Sequence, residues 1–461
     1  MKRRIIPVLL VFIACWAQPA RAQGLLGGLL TTITQVLPNL IQTNQPGVIV
    51  RTNLGLAGLQ GICLSNGCSV VGNLDGSVGQ VFLVRPAQGL LPNLLAQVLQ
   101  IIPGILDAEP DQTLTIPTNE NGQATATNPP PGLWDTTPVT YYGATVTDGY
   151  VNQPAAQIIR VSQSHSVFNV SGAGIVADID TGVDPNHPAL QSVLLSGYDF
   201  TRNQPGGSEM SDISVSAPPP CQTCAAAYVN QYTAAMLDQY TAAMLDSTQY
   251  AAFGHGTMVM GVIHLVAPTA KLLPLKAFSA NGSGSLSNII AAIYYAVQNH
   301  SNVINMSFDM TANSTELTDA INYANSHNVI CVASSGNDGK EEMVYPAGLQ
   351  NVMGVASTNN QDQRSTFSNY GNQIVWAAAP GEGVITTYPF GTYAAGWGTS
   401  FSSPMVAGTA SLIVNMQPSS GENQAAWAIA HAKWVGLNMG NGRLDVYGSL
   451  SALNPLQGLL Q

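Results

Sequence analysis

Charge is what this sequence has least of. Asp, Glu, Lys and Arg make up 8% of its 461 residues, and 14 basic residues stand against 25 acidic ones, for a net charge of −11. So few cations leave little to neutralise phosphates, which argues against a nucleic-acid partner. No run of about 18 uninterrupted apolar residues occurs, so no membrane span is expected. Cysteine is sparse as well, at six residues. Cys221 and Cys224 form a lone Cys-x-x-Cys with no second pair to complete a four-ligand zinc site, so no metal ligands are assigned. Glycine (45) and proline (28) are plentiful instead. The sparse, acidic charge suits an extracellular protein.

Residues 1–22 read as a secretory signal: Lys2, Arg3 and Arg4, an apolar run from Ile5 to Trp16, then Ala20-Arg21-Ala22 as a cleavage site. Cys15 raises the alternative of a lipoprotein signal, which Phe12 fits poorly. The protein is therefore expected to be secreted, extracellular or periplasmic. In that setting Cys221 and Cys224 read as a local disulfide, and Cys63 and Cys68 are spaced to close a small loop. Residues 23–45 are a Leu/Gly/Gln segment with apolar positions at Leu30, Ile33, Val36, Leu37 and Leu40, read as a short amphipathic cover.

Residues 46–117 look like a small α+β module. Val48–Val50 and Gln80–Val84 read as strands, with a turn at Asp75-Gly76. Asn93 is placed as the cap of a helix carrying Leu94, Leu95, Val98, Leu99 and Ile102, and a last strand begins at Ile105. Residues 118–137, rich in Thr, Asn, Gly and Pro, read as an exposed linker open to proteolysis. The main domain is 138–454, followed by a tail at 455–461.

From Gly172 strands and helices alternate. Strands are expected at Ile175–Asp180, Leu272–Ala277, Val303–Phe308, Val329–Ser334, Val352–Ala356 and Val375–Ala378, with helical spacing at Ile289, Ile290, Ile293 and Val297 and at Leu317, Ile321 and Ala324. This is an α/β pattern: a mostly parallel sheet with helices on both faces and active residues at the strands' carboxyl ends. Between Asp180 and His255 lie 75 positions, including an octapeptide (231–238) repeated at 239–246. That interval reads as an elongated surface helix or hairpin beside the cleft. Cys331 lies inside a strand and should be buried and unpaired.

Four short motifs carry the chemistry. Asp180-Thr181-Gly182 ends an apolar strand, and Gly254-His255-Gly256-Thr257 opens a helical run. Asn337 closes a strand-to-turn segment. Gly398-Thr399-Ser400-Phe401-Ser402-Ser403-Pro404 leads into a third apolar helix. Pro404 is expected in that helix's first turn, where no N–H is needed. Ser400 would then face the free N–H groups of a helix N-terminus, which favour developing negative charge. The order Asp, His, Asn, Ser over roughly Gly172 to Leu450 resembles the subtilisin-like (subtilase) serine proteases.

That resemblance implies an endopeptidase acting on polypeptides. Ser400 would be the nucleophile, His255 the base, Asp180 the residue that orients His255, and Asn337 a donor to the oxyanion. It implies substrate contacts at Ser307, Phe308, Asp309, Ser335 and Gly336. The 46–117 module resembles the subtilase propeptide, which assists folding and blocks the cleft until removed, so the chain's own module is an expected partner; a permanent accessory domain is the alternative. Calcium is common in the family, but no acidic loop here names its ligands. Two residues depart from the family pattern. Phe308-Asp309-Met310 stands where many members have a leucine and paired glycines, placing bulk and a carboxylate at the cleft rim. Asp178 sits inside an apolar strand and must be paired, protonated or edge-exposed. The rivals are a catalytically silent copy of the fold used for binding, and an esterase or acyltransferase with the same triad.

Overall fold

The structure is a computed structural model that describes residues 46–116, 128–213, 225–230, 233–237, 245 and 247–454. The signal, the 23–45 segment, Cys221 and Cys224, most of the second octapeptide and the 455–461 tail lie outside the described residues, as does linker segment 118–127. The chain divides into two compact units at Gln112/Thr113.

In the first unit, strands Val48–Thr52, Cys68–Asn73, Val81–Pro86 and Ile105–Pro110 form one antiparallel sheet, with the first and third strands at its centre. With helices Gly55–Asn66 and Pro92–Gln100 the order is βαββαβ, a split-βαβ arrangement. Val48, Val50, Leu59, Phe82, Val84, Leu95 and Leu99 fill its core. The second helix starts one residue before the expected cap. Pro92 opens it, its fixed φ suiting a first turn, and Leu91 stands at the cap position rather than Asn93. Cys63 and Cys68 lie side by side, with their sulfurs 2.6 Å apart.

The second unit is built on an eight-stranded sheet. Its strands are β1 (Ile175–Asp180), β2 (Tyr198–Asp199), β3 (Gln204–Pro205), β4 (Lys271–Lys276), β5 (Val303–Met306), β6 (Ile330–Ser334), β7 (Met353–Thr358) and β8 (Ala377–Pro380), in the order β3-β2-β4-β1-β5-β6-β7-β8. Only the β3–β2 pair at one edge is antiparallel. Strands β5, β6 and β7 are buried throughout, as expected of a sheet covered on both faces. Helices α1 (His255–Val266) and α4 (Thr399–Met416) pack together and against the sheet, while α2 (Leu286–Gln298) and α3 (Thr315–Ser326) pair with each other and also contact it. Ser285 and Ser314 cap α2 and α3, accepting from the N–H groups of Asn288 and Leu317. α4 is buried from Thr399 to Val414, its apolar residues interleaved with small serines and threonines, as befits a helix at the centre of the domain.

Two other pieces border the site. Ala225–Asn230 and Thr233–Leu237 form a hairpin whose second strand, within the first octapeptide, pairs with Thr392–Gly396, the strand leading to Ser400. Thr113–Thr115 pairs antiparallel with Ser283–Ser285 inside this second unit. The described part of the expected linker, 128–137, is mostly exposed, but Pro131–Trp134 forms a 3-10 turn that anchors it by burying Leu133 (3% exposed) in the main core. Cys331 is buried and unpaired. No helix among the described residues is long and apolar enough to cross a membrane.

Candidate active site

Asp180 ends β1 and His255 begins α1, so one strand end and one helix start bring the two together. His255 Nδ1 lies 2.8 Å from both Asp180 carboxylate oxygens. Burial opposes protonation of His255, but Asp180, by its charge and its hydrogen bond, and Glu209, by its charge, together hold the imidazole pKa above its ordinary value. The His255 ring also lies 5.9 Å from that of Phe401, the residue after Ser400.

Ser400 is the second residue of α4, behind Gly398 at the cap, whose φ of +148° favours glycine. Pro404 is not in the first turn as expected; it is the sixth residue of the helix. Its missing N–H would leave the Ser400 carbonyl without its helical partner, and Ser307 Oγ–H supplies one at 3.1 Å. Ser400 Oγ in turn donates to Ser307 O at 3.3 Å. A buried polar chain continues behind this pair. Asn305 Nδ2 donates to Ser307 Oγ and to Asp178 Oδ1, each at 2.9 Å, and Ser403 Oγ donates to Asn305 Oδ1 at 2.6 Å. Asp178 is thus central and 1% exposed. Burial and then the neighbouring Asp180 charge raise its pKa well above the usual carboxylate range, which favours the neutral acid.

Asn337 follows β6. Its Oδ1 accepts from the Thr399 backbone N–H at 2.9 Å and from Thr399 Oγ1 at 3.0 Å, which fixes the amide and leaves Nδ2 as the free donor beside Gly398. Among the expected substrate contacts, Ser307 and Ser335 are fully buried, so their side chains face the interior. Phe308 is not at a rim: it is 1% exposed, with its ring 5.2 Å from that of Phe278. Asp309 is half-buried, and its Oδ2 has no hydrogen-bond partner among the described residues. Burial, then the charges of Asp338 and Glu342, push its pKa up to about 7. Gly336 (φ +95°) must lack a side chain here, since a Cβ would fall 2.8 Å from Asp309 Oδ2 and 2.4 Å from Asn369 Nδ2.

Residues outside the recognised motifs also shape the site: Asn305 and, most of all, Glu209, while Ser403 stood inside the last motif without an assigned role. Thr181 and Thr257 stood inside the motifs as hydroxyls without an assigned role. Nothing in the spacing pointed to Glu209, which lies in the long interval between Asp180 and His255. No group of three or more His, Cys, Asp or Glu that could hold a metal gathers among the described residues. No ligands are therefore assigned to the calcium that is common in the resembling family.

The model of the subtilase family matches residues 172–448. The chain belongs to the subtilase family of serine proteases. This subtilase is 31% identical over 307 residues to thermitase of Thermoactinomyces vulgaris, a match covering 64% of this chain and 94% of that protein. It is 31% identical over 279 residues to a thermophilic serine proteinase of Bacillus sp. (strain AK1), with 60% of each chain covered. To subtilisin Savinase of Lederbergia lenta it is 38% identical over 205 residues, 42% of this chain and 74% of the relative. Among solved structures, a lanthipeptide protease aligns with a TM-score of 0.52 at 23% identity, covering 66% of the subtilase and 95% of that chain. That likeness speaks to the fold alone.

Proposed function

We propose that the protein is a secreted serine endopeptidase, made as a precursor that processes itself, with Ser400, His255, Asp180 and Asn337 as its catalytic set. The observation that carries this reading is the pairing of His255 with Asp180 at 2.8 Å beside the helix start that presents Ser400. With Nδ1 bonded to the carboxylate, the imidazole keeps Nε2 as its basic nitrogen. Ser400 Oγ turns from the Ser307 carbonyl toward Nε2, gives up its proton and attacks the peptide carbonyl carbon. Asp180 stabilises the imidazolium formed. The carbonyl oxygen becomes an oxyanion that accepts from Asn337 Nδ2 and the Ser400 N–H. Collapse breaks the C–N bond, and His255 returns the proton to the leaving amine. Water then repeats the sequence on the acyl-enzyme.

The chain's own residues 113–116 support self-processing. Thr113–Thr115 lies as an added strand on Ser283–Ser285, and Ile116 N–H donates to Gly282 O at 2.9 Å. Gly282 borders Ala252, whose carbonyl accepts from the His255 N–H, so the end of this strand lies beside the turn that leads into His255. Leu114 and Ile116 are buried there. Strand addition of this kind binds a peptide through its main chain, with alternate side chains read by pockets. The module before Gln112 would then be the propeptide. Casein and a short-chain ester offered side by side test the endopeptidase reading. Release of casein fragments at a rate far above ester turnover is expected, and ester cleavage without casein cleavage would contradict it.

A further inference from the structure

We infer that Glu209 is a positioning residue that locks the loop carrying Asp180 to the loop carrying His255. The inference rests on the triad reading above. Glu209 is wholly buried, and its carboxylate receives bonds from both loops. Oε2 accepts from Thr181 Oγ1, next to Asp180, and from the Gly254 N–H, next to His255, each at 2.9 Å. Oε1 accepts from Thr257 Oγ1, two residues past His255.

The two hydroxyls complete the lock. Thr181 Oγ1 accepts from the Gly256 N–H at 2.9 Å, and Thr257 Oγ1 accepts from the Asp184 N–H at 2.7 Å. Each threonine therefore gives its one hydrogen to the carboxylate and takes one from the opposite loop. The ionised acid, an acceptor at every position, matches this pattern with no donor left facing a donor. The backbones are equally close: a Cβ at Gly256 would fall 2.0 Å from Gly182 O, so no side chain fits between the loops.

Several titratable groups surround this carboxylate, of which Asp178 and Tyr388 favour their neutral forms. Asp180 and Asp178 come from β1 and His255 from α1. Lys276 comes from the end of β4, its Nζ bonded to Thr181 O at 2.8 Å and to Asp212 Oδ2 at 2.7 Å. Tyr388 comes from the strand after β8. Burial pushes the Glu209 pKa up to about 7, with the Thr257 and Thr181 hydroxyls, the Lys276 charge and the Gly254 N–H opposing the rise. The Glu209 charge in turn favours protonated His255.

Glu209→Gln keeps the shape, removes the charge and turns one acceptor into a donor facing a donor. Measured on the full chain, with active sites counted by titration with a fluorophosphonate, kcat is expected to fall roughly ten- to hundredfold from misplacement of the base. KM should stay nearly constant, and the acid limb of kcat/KM should move to lower pH. A merely structural role would reduce the number of active sites and leave turnover per site and the acid limb unchanged. Wild-type turnover per site, or an unmoved acid limb, overturns the inference. Should Glu209→Gln not fold, Thr181→Val carries the test. It is expected to lose kcat at constant KM while Thr181→Ser retains it, and equal turnover in the two overturns the inference. Ser400→Ala separates this from the triad reading, since activity surviving in that variant would refute the triad whatever Glu209 does.

Discussion

Asn337→Ala removes two interactions at once, and the structure allows them to be told apart. The first is the acceptor Oδ1, which holds the N–H and hydroxyl of the buried Thr399 at the head of α4. Leaving a buried N–H unpaired costs about 1–3 kcal/mol, a loss that falls on the folded state and lowers Tm. The second is the donor Nδ2, which would meet charge only in the transition state. Losing such a donor costs on the order of 3 kcal/mol, or roughly a hundred- to thousandfold in kcat, a magnitude known from subtilisin, a relative of this chain. Asn337→Ala should therefore lose both stability and kcat. Asn337→Asp keeps the acceptor, deletes the donor and sets a negative charge beside the oxyanion. It should melt near the wild type yet lose at least as much kcat. The assay is kcat and KM on a chromogenic peptide with titrated active sites, alongside thermal melts of all three proteins. A loss falling mainly on KM, or an Asn337→Asp enzyme of near wild-type turnover, would refute the reasoning.

Ser400→Ala should accumulate as a precursor that retains residues 46–112, because the 113–116 strand keeps its place while the tethered bond next to it is no longer cut. Intact mass and N-terminal sequencing should place the wild-type start within the few residues after Ile116. An active wild type that retains the module would make it an accessory domain. Asp309 should favour basic or hydroxyl-bearing side chains in the substrate. Its carboxyl is raised to about 7, so it ionises as pH climbs through that value and the preference for basic residues should strengthen there. Cleavage profiles of wild type and Asp309→Gly that coincide at pH 6 and pH 9 would remove the idea.

The elements legible in the sequence were those whose cause is local. β1 appears at Ile175–Asp180 as expected because an apolar run ends at a polar turn, and the other five expected strands fall within a few residues of their expected ends, whereas the two-residue edge strands β2 and β3 carried no such signal. What escaped depended on contacts distant in sequence. Pro404 was placed in a first turn because local chemistry allows proline only there; Ser307, nearly a hundred positions earlier, makes the later position tolerable by binding the Ser400 carbonyl. Helix Gly55–Asn66 was missed because Gly58 and Gly61 interrupt it and Leu56 and Leu64 face solvent, so no apolar stripe declared it. The family resemblance puts Phe308 at the cleft rim, but bulk alone does not give direction, and its ring packs inward against Phe278. Glu209 had no signal at all. Its meaning arises only where Thr181, Gly254 and Thr257 converge.

The central claim is that Ser400, activated by His255 and Asp180, is the nucleophile of a peptidase. Labelling the purified protein with a fluorophosphonate and locating the adduct by peptide mass spectrometry tests it most directly. The account predicts a single adduct on Ser400, formed in step with loss of casein hydrolysis, abolished in Ser400→Ala and greatly slowed in His255→Ala. Casein hydrolysis that persists in a fully labelled protein, or an adduct on another residue with Ser400 unmodified, would contradict it.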